Sequence, residues 1–249
     1  MSDAASCRKI GNYAIIDLAG MPAKDVPAAQ IAADLAELCE QIAWDDQIRV
    51  VLLSFDGAMN EEPQTEPNQS GGLDGFSLTE PVASLKQPVI AAIRGDALGL
   101  GLELALACDI RIACENARFG LPHIRQGKMP SDGGTQRLPR LIGQSKAMQM
   151  ILTGESIDAK EACRWGLINR IVTSASLMDT ATEMVRDMAE KSPLSLSFAK
   201  EALYKGMDLT LDQGIRMELD LYLHSFTTAD RTEGITAYKE KRKPKFEGI

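Results

Sequence analysis

Residues 94–143 of this chain read RGDALGLGLELALACDIRIACENARFGLPHIRQGKMPSDGGTQRLPRLIG. One isolated acid, Glu103, stands in a glycine-flanked apolar run, and the segment ends with Asp132 beside two glycines. A buried acid is costly unless it is satisfied or used. Glycine lets a ligand or a second backbone approach closely. Any fold of this chain must hold the Glu103 carboxylate, and the combination predicts a small-molecule active site.

The length, 249 residues, suits one good core with a small appendage. The formal net charge of −8 argues against nucleic acid or an anionic membrane as the main partner. It leaves room for an anionic ligand on a local basic patch. The N-terminus carries no secretory pattern, and no run reaches the roughly 18 apolar residues of a membrane helix. Five widely spaced cysteines without a CxxC read as reduced thiols of a cytoplasmic protein. With two histidines, His123 and His224, and no His/Cys cluster, no metal is expected.

Patterning predicts an α/β chain. Tyr13–Leu18 reads as a strand, 27–44 as an amphipathic helix and Ile48–Phe55 as a buried strand, which together form a crossover unit. Residues 56–70 are polar and rich in turn formers, and form the best loop in the chain. Pro88–Ile93 is another buried strand. Leu98–Leu106 is ambiguous, because leucine recurs at every second position while the run is apolar nearly all round. Asp109–Ala113 and Ala117–Gly120 read as strands. Ser145–Leu152 and Asp158–Trp165 read as helices, the second capped by Gly166. From Leu177 onward the chain reads as helical, with Met178–Glu190, Pro193–Lys205 and Thr210–Phe226 strongest. This predicts an α/β core over 1–190, catalytic and ligand-binding, and a C-terminal helical region over 191–249.

The chain resembles the enoyl-CoA hydratase/isomerase, or crotonase, family. Residues 88–143 carry the signature-like region. Leu152-Thr153-Gly154, residues 162–172 (ACRWGLINRIV), Asp230-Arg231-Thr232-Glu233-Gly234 and the basic end at 240–246 support it. The resemblance implies a spiral of repeated ββα units, with C-terminal helices that build a homotrimer or a homohexamer, and it makes 98–107 a helix. It implies an acyl-CoA thioester substrate, coenzyme A entering as part of that substrate, with no prosthetic group. No nicotinamide or flavin motif is present, since the glycines at 95–101 do not form a GxGxxG loop after a strand.

By this resemblance two backbone N–H groups hold the thioester oxygen as it becomes an enolate. Leu73, in Gly72-Leu73-Asp74, supplies one; Leu100, where many members have glycine, supplies the other. Glu103 matches the first of two hydratase glutamates and suits acid/base work. The second falls at His123, a departure that puts two-glutamate hydration in doubt; the imidazole could move a proton, orient Glu103 or line the pocket. Asp132 matches the place of a catalytic aspartate in dienoyl-CoA isomerases, although Asp-Gly-Gly is also an ordinary turn. Gly71, Gly72, Gly120 and Pro122 are expected to shape the ligand-binding backbone. Lys241 and Lys245 are candidates for the CoA phosphates, or for a solvated charge run. Phe76 and Leu78 are candidate pocket-lining residues or, equally, ordinary core. Arg137 and Arg140 are expected to hold the site loop or a neighbouring subunit through carboxylates, and His224 reads as structural or interfacial.

Reversible hydration of an enoyl-CoA, or of a conjugated or cyclic dienoyl-CoA, is the first reading. A double-bond isomerase using Glu103 and Asp132 is the second. A non-catalytic CoA-binding or assembly protein is the third.

Overall fold

The computed structural model describes residues 5–18, 28–55 and 77–249. The Gly71–Asp74 turn, Phe76 and the loop at 56–70 lie outside the described residues.

The described strands form two sheets. The larger holds β1 (Ser6–Ile10), β2 (Tyr13–Leu18), β3 (Val50–Phe55), β4 (Val89–Ile93), β6 (Ile110–Cys114) and β9 (Arg170–Val172), in the order β1-β2-β3-β4-β6-β9. The β1–β2 pair is antiparallel, and the rest of this sheet is parallel. The smaller joins β5 (Ala97–Leu98), β7 (Arg118–Gly120) and β8 (Ser156–Asp158).

The central strands are apolar throughout because both faces of the sheet are covered. On β3, Val51, Leu53 and Phe55 face one core, while Val50 and Leu52 face the other. α1 (Ala28–Trp44) and α3 (Leu100–Ala107) contribute to the first core. The second is closed by Leu177, Ala181, Val185 and Ala189 of α7 (Leu177–Ala189), spaced to form one helical stripe. The every-second-residue leucines at 98–106 belong mostly to a helix: all eight residues of α3 are buried, so no polar face marks its period. Only Ala97–Leu98 is extended.

Two buried polar arrangements tie the later chain to the sheet. Arg111, on β6, gives its guanidinium to the carbonyls of Leu167, Cys108 and Ala105 at 2.7, 2.5 and 3.2 Å. Lys200, on α8 (Pro193–Gly206), meets Asp109 Oδ2 and the Gln87 carbonyl, both at 2.9 Å.

The terminal motif is a clasp. Asp230, buried on α10 (Ala229–Glu240), accepts from the N–H groups of Glu247 and Gly248 at 2.7 and 3.1 Å. Glu233 accepts two bonds from Arg242 at 2.5 and 2.8 Å and one from the Lys245 N–H at 2.7 Å. Arg242 first, then that N–H, hold the Glu233 carboxyl down to about 2. Arg49, just before β3, closes the clasp on the Phe246 carbonyl at 2.6 Å. No helix among the described residues is long and apolar enough to cross a membrane.

Burial pushes the thiols of Cys39 and Cys108 up to about 12, whereas Cys7 is exposed on β1. Iodoacetamide at about pH 8 is expected to modify Cys7 in the native protein and to spare Cys39, Cys108 and Cys114 until denaturant is added. Mass spectrometry of the labelled peptides checks this, and native labelling of Cys108 would contradict the packing of α3.

Candidate active site

The site begins where β4 ends. The chain leaves the sheet at Ile93, passes through β5 and enters α3 over Gly99, whose φ of 57° favours glycine. The Gly99 N–H donates to the Gly120 carbonyl at 3.0 Å, and the Gly99 carbonyl accepts from the N–H groups of Leu102 and Glu103 at 3.0 and 3.1 Å. The turn is thus fixed on both sides. Leu100 is the first residue of α3, where backbone N–H groups have no partner inside the helix. The leucine at this position leaves the helix start intact, and its side chain is buried.

Glu103 lies in the first turn of α3 with 0% of its surface exposed. Its Oε1 accepts from the N–H groups of Asp132 and Gly134, both at 2.8 Å. Hydrogen bonds to a charged group are worth about 1.5–3 kcal/mol each, and these two satisfy one carboxylate oxygen. Oε2 accepts no hydrogen bond among the described residues. It lies 3.5 Å from Nε2 of His123, itself 2% exposed. His123 belongs to a short 3-10 helix, Pro122–Gln126, whose Pro122 begins it. The structure therefore brings Glu103 and His123 together as a buried pair, with one carboxylate oxygen held and the other turned toward the imidazole.

Asp132 reaches the site by its backbone. Its carboxylate turns away to Ser77–Thr79, accepting from Ser77 Oγ at 2.6 Å and from the N–H groups of Leu78 and Thr79 at 2.8 and 3.0 Å. Thr79 Oγ1 adds a contact of 2.9 Å. Gly133, at φ 97°, turns the chain into α4 (Gly134–Ile142). Arg137 of α4 braces the loop by donating to Thr79 Oγ1 at 2.8 Å and to the Asp132 carbonyl at 3.1 Å. Its partners are thus a hydroxyl and a carbonyl where carboxylates were expected. Arg140 points elsewhere, to Gln136 and, at 3.6 Å, to Asp208.

Gly120 packs so closely on β8 that an added Cβ would stand 3.1 Å from Ser156. Pro122 lines a cleft of about 450 Å³ together with Leu98, Arg118 and Arg125. Leu78 is fully buried in the main core. Lys241 and Lys245 are exposed on the terminal clasp, which Arg49 ties to the beginning of β3. His224 lies on the C-terminal helices, edge-on to Phe198 with 6.3 Å between ring centres. Among the described residues no three His, Cys, Asp or Glu side chains are grouped to hold a metal ion.

Sequence reasoning missed the two N–H donors to Glu103 and the Ser77–Thr79 partners of Asp132. Gly133-Gly134 carried the only local signal for the first, since a bare backbone lets a carboxylate approach.

The sequence profile described as enoyl-CoA hydratase/isomerase matches residues 28–249. A putative enoyl-CoA hydratase/isomerase of Bacillus subtilis is 37% identical over 248 residues, covering 96% of this chain and 95% of that protein. A short-chain-enoyl-CoA hydratase of Clostridium acetobutylicum is 34% identical over 245 residues, covering 94% of each. The crystal structure of an enoyl-CoA hydratase from Bacillus anthracis superposes with a TM-score of 0.89 at 35% identity, covering 99% of this chain and 100% of that one.

An alanine Cβ at 134 would stand 2.9 Å from Glu103 Oε1 and 3.0 Å from Pro130 Cβ. Gly134→Ala is therefore expected to destabilise by about 1–3 kcal/mol. Gly206→Ala, with nothing within 4 Å, is expected to leave stability unchanged or raise it by up to about 1 kcal/mol. Urea midpoints of the two variants check this.

Proposed function

The chain belongs to the enoyl-CoA hydratase/isomerase family and is an enzyme of that type; from this premise we propose that it adds water reversibly across the double bond of an enoyl-CoA thioester. The observation that carries the reading is the buried Glu103 carboxylate, one oxygen fixed by two N–H groups and the other 3.5 Å from His123. A base whose orientation is set before substrate arrives loses little in reorganising.

Coenzyme A enters as part of the substrate. The thioester oxygen is held by the N–H groups of Leu73 and Leu100. Glu103 Oε2 takes a proton from water as its oxygen bonds to the β-carbon. The π electrons of the double bond move toward the thioester oxygen and form the enolate. Collapse of the enolate draws the proton from Glu103 to the α-carbon, and one water has been added. His123 faces the oxygen that exchanges the proton and orients the attacking water. Gly71, Gly72, Gly120 and Pro122 shape the surrounding backbone. A cyclic or conjugated dienoyl group is the finer substrate assignment.

The isomerase alternative asks the Asp132 side chain to carry a proton. Its carboxylate lone pairs are already engaged by Ser77, Leu78 and Thr79, which favours hydration.

We also assign a homo-oligomer, a trimer or a dimer of trimers, built by the region after about residue 190. Along α8, α9 (Leu211–Ser225) and α10 and their junctions, Leu203, Met207, Leu211, Leu219, Tyr222 and Tyr238 are 53–86% exposed. So much apolar surface on one region asks for a covering partner. Lys241 and Lys245, exposed on the terminal clasp, are assigned to the CoA phosphates.

Turnover of enoyl-, cyclic enoyl- and dienoyl-CoA thioesters in ¹⁸O-labelled water is expected to place the heavy oxygen on the acyl chain. Glu103→Gln is expected to lower kcat about 10²–10⁴-fold. A product of unchanged mass with a shifted double bond would establish isomerisation in place of hydration. Light scattering of the double variant Leu211→Glu, Leu219→Glu is expected to give a smaller particle than the parent protein, and an unchanged mass would remove these helices from the interface.

A further inference from the structure

Asp132 uses its two ends for different halves of the site. Its N–H holds Glu103 Oε1 at 2.8 Å. Its carboxylate receives Ser77 Oγ and Leu78 N–H at 2.6 and 2.8 Å, and Thr79 N–H and Oγ1 at 3.0 and 2.9 Å. A carboxylate offers about four acceptor positions, so this one has little capacity left for a reacting proton. Ser77 is also fixed from its far side, because its Oγ accepts from the Glu80 N–H at 2.9 Å. Arg137 locks the junction by bonding Thr79 Oγ1 and the Asp132 carbonyl together.

Thr79 is 1% exposed and Leu78 0%, so this junction is packed against the core.

We propose that Asp132 is a positioning residue: its carboxylate clamps the Ser77–Thr79 turn and its N–H clamps Glu103, so that the acid/base group is held against that turn. This rests on the reading of Glu103 as the base. The prediction differs from a proton-carrying Asp132 in what the pH dependence does. A positioning residue changes the height of the rate profile and leaves its limbs in place, whereas a proton carrier takes a limb away with it.

The test uses the full-length enzyme and crotonyl-CoA as probe. Glu103→Gln is measured first; if it retains parental kcat, the hydration reading itself fails, independently of Asp132. With that control in hand, Asp132→Asn keeps the backbone N–H to Glu103 but turns an amide NH₂ toward donors. Its kcat is expected to fall about 10- to 100-fold, with a smaller change in KM and unshifted limbs in the kcat/KM pH profile. Thr79→Val removes the hydroxyl shared by Asp132 and Arg137. The double variant is expected to be less impaired than the product of the single effects, as for residues acting through one junction. Thr79→Ser, which keeps the hydroxyl, is expected to restore most of the loss. Parental kcat in Asp132→Asn would overturn the clamp, and so would loss of one pH limb. If Asp132→Asn does not fold, Ser77→Ala carries the same test: reduced kcat with little change in KM supports the clamp, and parental kcat overturns it.

Discussion

The placement of one carboxylate in the interior governs the rest of the site. Glu103 sits in a helix whose eight residues are all buried, where a charged group without partners would be strongly unfavourable. The two N–H groups from the 132–134 turn offset that cost at one oxygen and leave the other directed at His123. An acid that must be satisfied for folding thereby keeps one oxygen turned toward an imidazole. Gly134 is required for it, since even a methyl group there would stand within 3 Å of the carboxylate oxygen.

The surrounding architecture exists to bring that turn to that helix. Parallel strands buried on both faces require coverage above and below, and this places α3 and α7 on opposite sides of the sheet. The crossover after β4 leads into α3, which carries Glu103. The C-terminal segment is fastened through Asp230 and Glu233 and, at the start of β3, through Arg49. Acids of the DRTEG sequence thus serve to pin the final residues, which explains why acid and base recur together at the end of an acidic chain. The Lys200–Asp109 pair does the same for the start of the helical region.

Much of this was legible in the residue pattern. Apolar runs at 48–55 and 88–93 announced buried strands, and the glycine after residue 165 announced the end of a helix; the structure has the strands at Val50–Phe55 and Val89–Ile93 and the helix end at Gly166. The alternating leucines at 98–106 were not decisive, because complete burial removes the polar face that would reveal a helical period. The isolated Glu103 was visible as a residue needing partners. Those partners lie 29 and 31 positions away and are backbone groups, which no side-chain pattern records. Asp132 illustrates the same limit: Asp-Gly-Gly is equally good as a turn or as half of an acid pair, and only the distances to Ser77–Thr79 show which groups its oxygens meet.

What the sequence determined by itself is the strand-and-helix grammar, the family resemblance and the identity of the acid that had to be accommodated, because these follow from local composition and spacing. Tertiary structure alone decided that Glu103 faces His123, that the 132–134 backbone holds it, and that the Asp132 side chain turns to residues 77–79. Those outcomes depend on segments distant in sequence meeting within a few ångströms. Hydrogen bonding at that range selects among arrangements that the linear pattern leaves equivalent.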